Sequence, residues 1–521
     1  MADFDYIVIG AGSAGCVLAD RLSADPAVRV AVIEAGPRDR KLEIKLPAGF
    51  PKLFHTKYDW DLTTTSQPEL KARELYWPRG KTLGGSSSLN AQMWVRGSQA
   101  DYDGWATAAP GWSFADVLPY FQRAEHRVGT NHGHVYGVGG PLHIEELRDP
   151  NPLRATFFEA CAEQGHRRLA ELNEPDISGY APTPVNQKRG RRWSAADGYL
   201  RRALKRDNVT LFTDTLTERI VLDGDRASGV VVKPASGSRQ TLTAAREVLL
   251  SAGAVHSPHL LQLSGIGDPA VLSAAGIETR VENAGVGRGL QDHLSVPMVM
   301  FTRDAATLVD AEKPKELLEF ALRRRGMLTS NVGEGVLFGR SEPDLAEPDL
   351  EFIFAPVPFI NHGQDEPAGH GITIGVILLQ PESSGTVTVR SADPSHAPVI
   401  EPAYLAESRD LARLVSGANQ AKELFATTAL RNELADPYLP TAEQLDVTEH
   451  VRGAAETLYH PTGTCRMGAD DTAVVDPELR LRGVEGLRVV DASVMPQIIR
   501  GHTHAPTVMI AEKAADLVRG R

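Results

Sequence analysis

Two short segments near the C-terminus hold histidines among small and polar residues. One runs from Tyr459 to Gly468 (YHPTGTCRMG) and contains His460, and the other runs from Gly501 to Thr507 (GHTHAPT) and contains His502 and His504. A histidine side chain, with an unperturbed pKa of about 6.5, can accept a proton from a hydroxyl group at neutral pH. The chain has 16 histidines, and a single histidine is more often structural than catalytic. The role of these histidines therefore has to be inferred from the rest of the sequence.

A glycine-rich turn near the N-terminus is the clearest of those elements. The apolar run 6–9 leads into residues 10–15 (GAGSAG), residues 16–22 have helical spacing, and the β-branched run 28–33 ends at Glu34. This order predicts a strand, a tight turn, a helix and a second strand.

The glycines of this turn have separate tasks. Gly10 allows the tight turn, Gly12 lets the backbone approach a pyrophosphate, and Gly15 allows the helix to pack closely on the strand. The helix N-terminus offers unpaired N–H groups to phosphates, and the carboxylate of Glu34 can accept hydrogen bonds from ribose hydroxyls. The segment therefore predicts a bound dinucleotide.

The chain after this unit argues against a nicotinamide dinucleotide. A domain that binds NAD usually continues with further strand–helix units, whereas residues 36–85 are irregular and rich in proline and glycine. Glu34 would also repel the additional phosphate of NADP.

The remaining apolar runs predict how the chain is organised. Residues 247–251 (EVLLS) and 487–490 (LRVV) read as buried strands of the same sheet as the N-terminal unit. We therefore expect an α/β protein with a Rossmann-like domain assembled from several chain segments, together with an α+β substrate domain built on an antiparallel sheet. The strands predicted for the second domain are 296–301, 350–355, 372–379 and 386–390, and its helices are 315–325 and 408–425. The predicted boundaries are 1–155, 208–300 and 450–521 for the first domain, and 156–207 and 301–449 for the second.

Composition excludes several classes of function. Hydrophobic residues make up 42% of the 521 residues and the net charge is −12, so a globular core is expected and nucleic acid is a poor partner. The sequence has no apolar run long enough for a transmembrane segment, and its N-terminus does not read as a signal peptide. Its three cysteines show no metal-ligand spacing. We expect a cytoplasmic protein with neither a disulfide framework nor a metal site.

Four motifs, in a fixed order, carry a family resemblance. They are Trp77–Asn90 (WPRGKTLGGSSSLN), residues 253–267 (GAVHSPHLLQLSGIG), Gly285–His293 (GVGRGLQDH) and the C-terminal segment with its two histidine motifs. Together with the glycine turn, they make the sequence closely similar to the glucose–methanol–choline (GMC) oxidoreductases, in particular to choline dehydrogenases and hydroxymethylfurfural oxidases. The resemblance spans essentially the whole chain.

The resemblance implies FAD, lying extended across the first domain, with its flavin at the domain boundary. It places His460 and His502 at the reactive edge of the flavin, with His460 as the base and His502 holding the substrate oxygen. His504, two residues further on, would either touch the flavin or support the loop. The implied cofactor contacts are Gly10, Gly12, Ser13, Ala14, Gly15, Glu34, Ala35, Arg79, Gly84, Gly85, Ser86, Asn90, Thr217, Asp491, Ala492, Thr503, His504 and Pro506.

Two positions depart from the family pattern. Some members attach FAD covalently through a histidine where this chain has Leu89, so a noncovalent cofactor is expected. Thr217 stands where relatives often carry valine and use its backbone to hold adenine, and threonine can make the same backbone contact.

The implied reaction is oxidation of a primary alcohol to an aldehyde, with flavin reoxidised by oxygen or by a quinone or protein acceptor. Alternatives are a hydroxynitrile lyase or a light-driven decarboxylase on the same fold, or a non-catalytic FAD-binding module. A choline site would need an aromatic cage and a carboxylate, for which Glu351, Phe352, Phe354 and Phe359 are candidates, but a core strand is the better explanation of the phenylalanines. His256, His259 and His293 read as structural.

Overall fold

The computed structural model of the protein describes residues 2–129, 135–366, 368–441 and 446–520. Its strands are β1 (Phe4–Ile9), β2 (Val30–Ile33), β3 (Leu62–Thr63), β4 (Tyr76–Trp77), β5 (Glu125–Arg127), β6 (Leu142–Ile144), β7 (Gly179–Pro182), β8 (Val209–Phe212), β9 (Thr215–Asp223), β10 (Arg226–Pro234), β11 (Gln240–Leu250), β12 (Ile266–Gly267), β13 (Val281–Glu282), β14 (Arg288–Leu290), β15 (Leu294–Thr302), β16 (Gly335–Gly339), β17 (Leu350–Ala355), β18 (Gly371–Leu378), β19 (Gly385–Thr388), β20 (Val399–Glu401), β21 (Leu434–Leu439), β22 (Glu456–Thr457) and β23 (Leu487–Val489). Its α-helices are α1 (Ser13–Leu22), α2 (Leu42–Lys45), α3 (Gln99–Ala108), α4 (Phe114–Ala124), α5 (Leu153–Glu163), α6 (Arg201–Ala203), α7 (Gly253–Leu263), α8 (Pro269–Ala274), α9 (Pro314–Arg323), α10 (Ser408–Ala426), α11 (Thr428–Glu433), α12 (Val447–Ala454) and α13 (His504–Val518).

The first large sheet contains the predicted dinucleotide unit. Strands β8, β2, β1, β11 and β23 lie side by side and parallel. The first half of β11 turns away from this parallel part and pairs antiparallel with β10, which in turn pairs with β9. The predicted strands at 247–251 and 487–490 thus belong to the same sheet as β1, and the α/β fold class is confirmed.

The two ends of the chain meet beside this sheet. Helix α13 packs against α1, and the carboxylate of Glu512, which is fully buried, accepts a hydrogen bond from Nη2 of Arg21 at 2.7 Å. The hydroxyl of Tyr199 donates to the same carboxylate at 2.7 Å. Both helices therefore start at the same edge of the sheet, with Ser13 and His504 at their N-termini.

The second large sheet is antiparallel, with the strand order β21, β15, β18, β17, β16 and β7, and β22 pairs with β15. Side chains alternate along β17, so that Phe352 and Phe354 face the core while Glu351 and Ile353 point to the other side. The ring of Phe354 stacks on Phe157 of α5, with 5.1 Å between the ring centroids. One face of the sheet is thereby covered by helices.

The predicted strand at 386–390 forms as β19 but does not join this sheet. It pairs with β14 and β20 instead, and the N–H of Val387 donates to the carbonyl of Gly287 at 2.7 Å. This strand therefore anchors the loop that carries the third family motif. The predicted residue boundaries of the two domains remain a prediction. Within the four described ranges, no helix is both long and apolar enough to cross a membrane.

Candidate active site

A cavity of about 540 Å³ lies between the two large sheets. The first sheet contributes Ile9, Glu34 and Ser251, which stand at the carboxyl ends of β1, β2 and β11. The second sheet contributes Ile353 and Ile377 from the face that its helices leave open. Ligands of open parallel sheets bind at the carboxyl ends of the strands, so the cavity is where the glycine turn predicts a dinucleotide.

Most of the predicted site residues line this cavity; the exceptions are Gly15, Gly84 and Pro506. A Cβ atom at Gly15 would lie 1.9 Å from the carbonyl oxygen of Gly10, so Gly15 serves helix packing. The N–H of Gly84 donates to the carbonyl of Ala11 at 2.7 Å and braces the glycine turn. Pro506 is buried in the first turn of α13.

Two glycines meet backbone to backbone at one wall of the cavity. A Cβ atom at Gly85, whose φ is +52°, would approach the Cα of Gly12 to 2.7 Å. A Cβ atom at Gly12 would have no neighbour nearer than 4.0 Å. The space in front of Gly12 therefore belongs to the cavity, where a side chain would take the room of a ligand.

Glu34 closes the same end of the cavity. Its Oε2 accepts a hydrogen bond from the N–H of Ala11 and its Oε1 from that of Gly36, both at 2.9 Å. Burial raises the pKa of Glu34 to about 7, although the two N–H groups lower it by stabilising the carboxylate. A carboxyl group held in this way is an acceptor for hydroxyl groups of a ligand.

Several buried polar atoms of the lining have no partner within the protein. Among the residues that the structure describes, they are Oγ1 of Thr217, Oγ of Ser251, Nε2 of His259 and Nε2 of His504. Buried polar groups are normally hydrogen-bonded, so these atoms indicate a polar ligand. Together with the helix N-terminus, the glycine backbone and Glu34, they fit FAD. At the predicted attachment position, Leu89 is buried and has no nucleophilic atom, which fits a noncovalent cofactor.

The loop that carries His460 is fixed from three sides. The N–H of His460 donates to Oδ1 of Asp292 at 2.7 Å, and the hydroxyl of Thr457 donates to Oδ2 of the same carboxylate at 2.6 Å. Nη2 of Arg79 donates to the carbonyl of Tyr459 at 2.6 Å. Tyr459 has a φ of +69°, a left-handed conformation that non-glycine residues adopt only where surrounding contacts stabilise it.

His293 determines which nitrogen of His460 carries a proton. Nε2 of His293 lies 3.1 Å from the carbonyl oxygen of Leu379, which can only accept, so this nitrogen carries the hydrogen. Burial lowers the pKa of His293 to about 3, so the ring is neutral and its Nδ1 is an acceptor. Nδ1 of His460, 2.9 Å away, must then be the donor.

His460 is neutral as well. Burial and the nearby His502 and His293 hold its pKa well below the ordinary value. Because Nδ1 carries the hydrogen, Nε2 keeps its lone pair, and the residue lines the cavity. The ring is therefore preset to accept a proton at Nε2.

His502 lies beside this ring, with 4.9 Å between the two ring centroids. Its Nε2 donates to Oε1 of the fully buried Glu351 at 2.9 Å, which leaves Nδ1 for a ligand. The preceding residue must be small, because a Cβ atom at Gly501 would lie 2.8 Å from the backbone nitrogen of Gly97. The structure thus brings together the two histidines that the sequence motifs single out.

Sequence reasoning missed the contacts of His293 and Glu351. The pairing of β22 with β15 brings His293 beside His460, although 167 positions separate them. A choline cage does not form on β17, because Phe352 and Phe354 lie in the core and Glu351 binds His502. The core-strand interpretation holds for Phe352 and Phe354, whereas Phe359 lies beyond the end of β17 and lines the cavity.

An aromatic wall adjoins the histidines. Phe50, Phe54 and Phe359 line the cavity. Ring centroids are 5.9 Å apart for Phe50 and Phe54, and 6.1 Å apart for Phe54 and Tyr459. Since Tyr459 precedes His460, this wall is the part of the cavity that an organic substrate would contact.

One cavity thus holds a dinucleotide-binding turn, a buried histidine and a second histidine, an arrangement that fits a flavoprotein. Residues 4–295 and 381–511 match family models described as GMC oxidoreductase. The chain belongs to the GMC oxidoreductase family, is similar to choline dehydrogenases within it, and binds FAD.

Individual relatives support this membership over the whole length. The chain is 50% identical to an uncharacterised GMC-type oxidoreductase of Mycobacterium tuberculosis, over 99% of both chains. It is 40% identical to the mitochondrial choline dehydrogenase of Homo sapiens, over 100% of this chain and 90% of that protein. The solved structure of pyridoxine 4-oxidase from Mesorbium loti superposes with a TM-score of 0.91 at 31% identity, over 100% of both chains.

Proposed function

We propose that the protein oxidises a primary alcohol to the aldehyde, with His460 as the general base. The observation that carries this proposal is the hydrogen bond of His460 to His293, which leaves Nε2 of His460 as the proton acceptor. A neutral imidazole in a buried site can take the hydroxyl proton of an alcohol without first losing one of its own.

His502 would hold the oxygen of the substrate. Its Nε2 is engaged by Glu351, so Nδ1 would face the alcohol oxygen. Because the hydroxyl proton goes to His460, Nδ1 would donate to that oxygen from an imidazolium whose charge Glu351 balances. Glu351 is fully buried on a strand of the second sheet, and it fixes the plane of the His502 ring. Two imidazoles with defined orientations would then keep the hydroxyl group in one place.

The cofactor contacts follow from the cavity lining. Bound FAD would supply the acceptor for the hydride that leaves the alcohol carbon. The glycine turn, Glu34, Thr217, Asp491 and His504 would hold it, and the first turns of α1 and α13 would face its polar groups.

The aromatic wall favours a substrate with an apolar or aromatic body. Phe50, Phe54 and Phe359 offer ring faces and edges, and Ile353 and Val332 add aliphatic surface. Choline and pyridoxine, after which two of the relatives are named, are both primary alcohols. The cavity supports that reaction class, and the rings favour aryl or alkyl alcohols for this chain.

Anaerobic reduction of the purified yellow protein by a panel of alcohols tests the proposal. The panel contains benzyl alcohol, hydroxymethylfurfural, aliphatic alcohols and choline, and the readout is loss of the flavin absorbance. Rapid bleaching by a primary alcohol is expected, and readmission of air then separates an oxidase from a dehydrogenase that needs another acceptor. An enzyme whose flavin no alcohol bleaches, but which splits a cyanohydrin or decarboxylates a fatty acid in light, would refute the proposal.

A further inference from the structure

One surface of the protein exposes large apolar side chains. Leu318 and Leu322 on α9 are 59% and 73% exposed, and Leu42 at the start of α2 is 64% exposed. Leu317 on α9 is 48% exposed. Scattered exposed leucines are ordinary, but neighbouring ones on short elements indicate a contact surface.

Helix α9 has apolar residues on both sides. On the inner side, Phe320 is buried and packs in a cluster with Leu328. On the outer side, Leu318 and Leu322 are four positions apart and so lie one above the other on the helix surface. A helix that only covers a core would carry polar residues at those outer positions.

The segments that carry Leu42 and the leucines of α9 are neighbours, since Leu46 packs against the cluster of Phe320. Nζ of Lys41, next to Leu42, donates to the carbonyl of Lys52 at 3.3 Å. The ammonium group of Lys52 pairs with Glu312, two residues before α9. Residues 38–52 and 310–325 are called the docking surface below.

The docking surface is basic although the protein is acidic. Its two segments contain ten Lys and Arg residues against six Asp and Glu residues, while the whole chain has a net charge of −12. Of these cations, Lys45 and Arg325 pair with Asp197 and Asp149 outside the two segments, which leaves eight to face a ligand or the six acids. Lys315 and Arg323 are exposed at the ends of α9, next to the outer leucines. Leucines flanked by cations match a bilayer surface with anionic headgroups, whereas a second copy of the same surface would be repelled.

The docking surface adjoins the aromatic wall of the cavity. Leu308 packs against the cluster of Phe320 and also against the cluster of Phe50 and Phe54. Phe50 lies in the turn Pro47–Leu53, whose residues 47–52 belong to the docking surface, and it lines the cavity. A lipid surface in contact with the leucines would therefore face the side of the protein that carries this wall.

We propose that the docking surface binds the protein peripherally to a bilayer that contains anionic phospholipid. Leu318, Leu322 and Leu42 enter the acyl boundary, and the surrounding lysines and arginines contact the lipid phosphates. The cavity then opens beside the lipid, from which apolar alcohols can be taken up. The binding itself does not depend on which alcohol is oxidised.

Flotation of the FAD-loaded protein with vesicles tests this proposal. Vesicles of phosphatidylcholine with phosphatidylglycerol are compared with vesicles of phosphatidylcholine alone, for the wild type and for Leu322→Glu. Val138→Glu is the matched control, because Val138 is 70% exposed and lies outside the docking surface. Both variants add one negative charge at an exposed apolar side chain.

The wild type and Val138→Glu are expected to float with the anionic vesicles, and Leu322→Glu is expected to bind at least about tenfold more weakly. Binding should also weaken as ionic strength rises from about 0.01 M to about 1 M, because the Debye length falls from about 30 Å to about 3 Å. A wild type that stays in solution at low salt overturns the proposal, as does equal binding of both variants. A wild type that is dimeric in the ultracentrifuge, with monomeric Leu322→Glu and no vesicle binding, would assign the surface to a second copy.

Discussion

His460 differs from an isolated histidine because its neighbours fix its tautomer. The carbonyl of Leu379 accepts from Nε2 of His293, so that Nδ1 of His293 is an acceptor. This acceptor in turn requires the hydrogen of His460 to be on its Nδ1. Burial keeps both rings neutral. The proposed base therefore depends on a residue that would touch neither substrate nor flavin, and His293 is a positioning residue in this account.

Replacing His293 tests that dependence. His293→Leu is expected to lower kcat/KM for the alcohol by about tenfold or more, since an imidazole in the wrong tautomer is a poor base. His293→Gln should retain more activity, because its amide can accept from His460 and donate to Leu379. The measurement is the anaerobic rate of flavin reduction, with FAD content and melting temperature as controls. Equal rates for His293→Leu and the wild type would show that His293 does not set the tautomer of His460.

The pH dependence of reduction follows from the low pKa of His460. A base whose pKa lies well below 6.5 stays unprotonated throughout the neutral range. The kcat/KM for reduction should therefore stay constant as the pH falls to 6.5, and decline only at lower pH. The check is the anaerobic reduction rate as a function of pH. An acid limb centred at or above pH 6.5 would mean that burial does not hold His460 neutral.

At the scale of elements, local patterns were easier to predict than long-range pairings. The unit formed by β1, α1 and β2 was predicted because strand, turn and helix follow one another directly along the chain. The distant strands β11 and β23 were assigned to the same sheet from short apolar runs.

The strand order and the contacts of the second sheet could not be predicted from local sequence patterns. Its strands were predicted, but their order depends on pairings between distant segments, and β19 joins a different sheet. The hydrogen bond of Glu351 to His502 spans 151 positions, and no local pattern encodes it. The side of β17 on which Phe352 lies became clear only from the neighbours of that strand.

The glycine turn gives a prediction that separates folding from cofactor binding. Gly12→Ala should leave the stability of the apoprotein unchanged but strongly reduce FAD content, because its Cβ atom meets no protein atom within 3.9 Å yet enters the cavity. Gly15→Ala should instead lower the free energy of unfolding by about 1–3 kcal/mol, since its Cβ atom would lie 1.9 Å from the oxygen of Gly10. The measurements are flavin absorbance per protein and thermal melting of the apoprotein. Wild-type FAD content in Gly12→Ala would show that the cofactor does not approach this backbone.

At the scale of the whole molecule, the site exists only where the two large sheets meet. The parallel sheet presents the glycine turn and Glu34, and the antiparallel sheet presents Ile353 to the cavity and Glu351 to His502. The aromatic wall comes from Phe50 and Phe54, in and just after the turn Pro47–Leu53, and from Phe359 in the loop after β17. His460 follows β22, and His502 precedes α13, so each histidine sits on a loop next to a different element. The sequence motifs identified both loops, and the fold supplies the partners that orient them.

The most direct test of the account is stopped-flow reduction of His460→Ala by the best primary alcohol of the panel. The variant should keep its FAD and its flavin spectrum but be reduced about 100- to 10,000-fold more slowly than the wild type, the usual contribution of a general base. A variant that is reduced at the wild-type rate would contradict the central claim, because the hydroxyl proton would then go to a group other than His460.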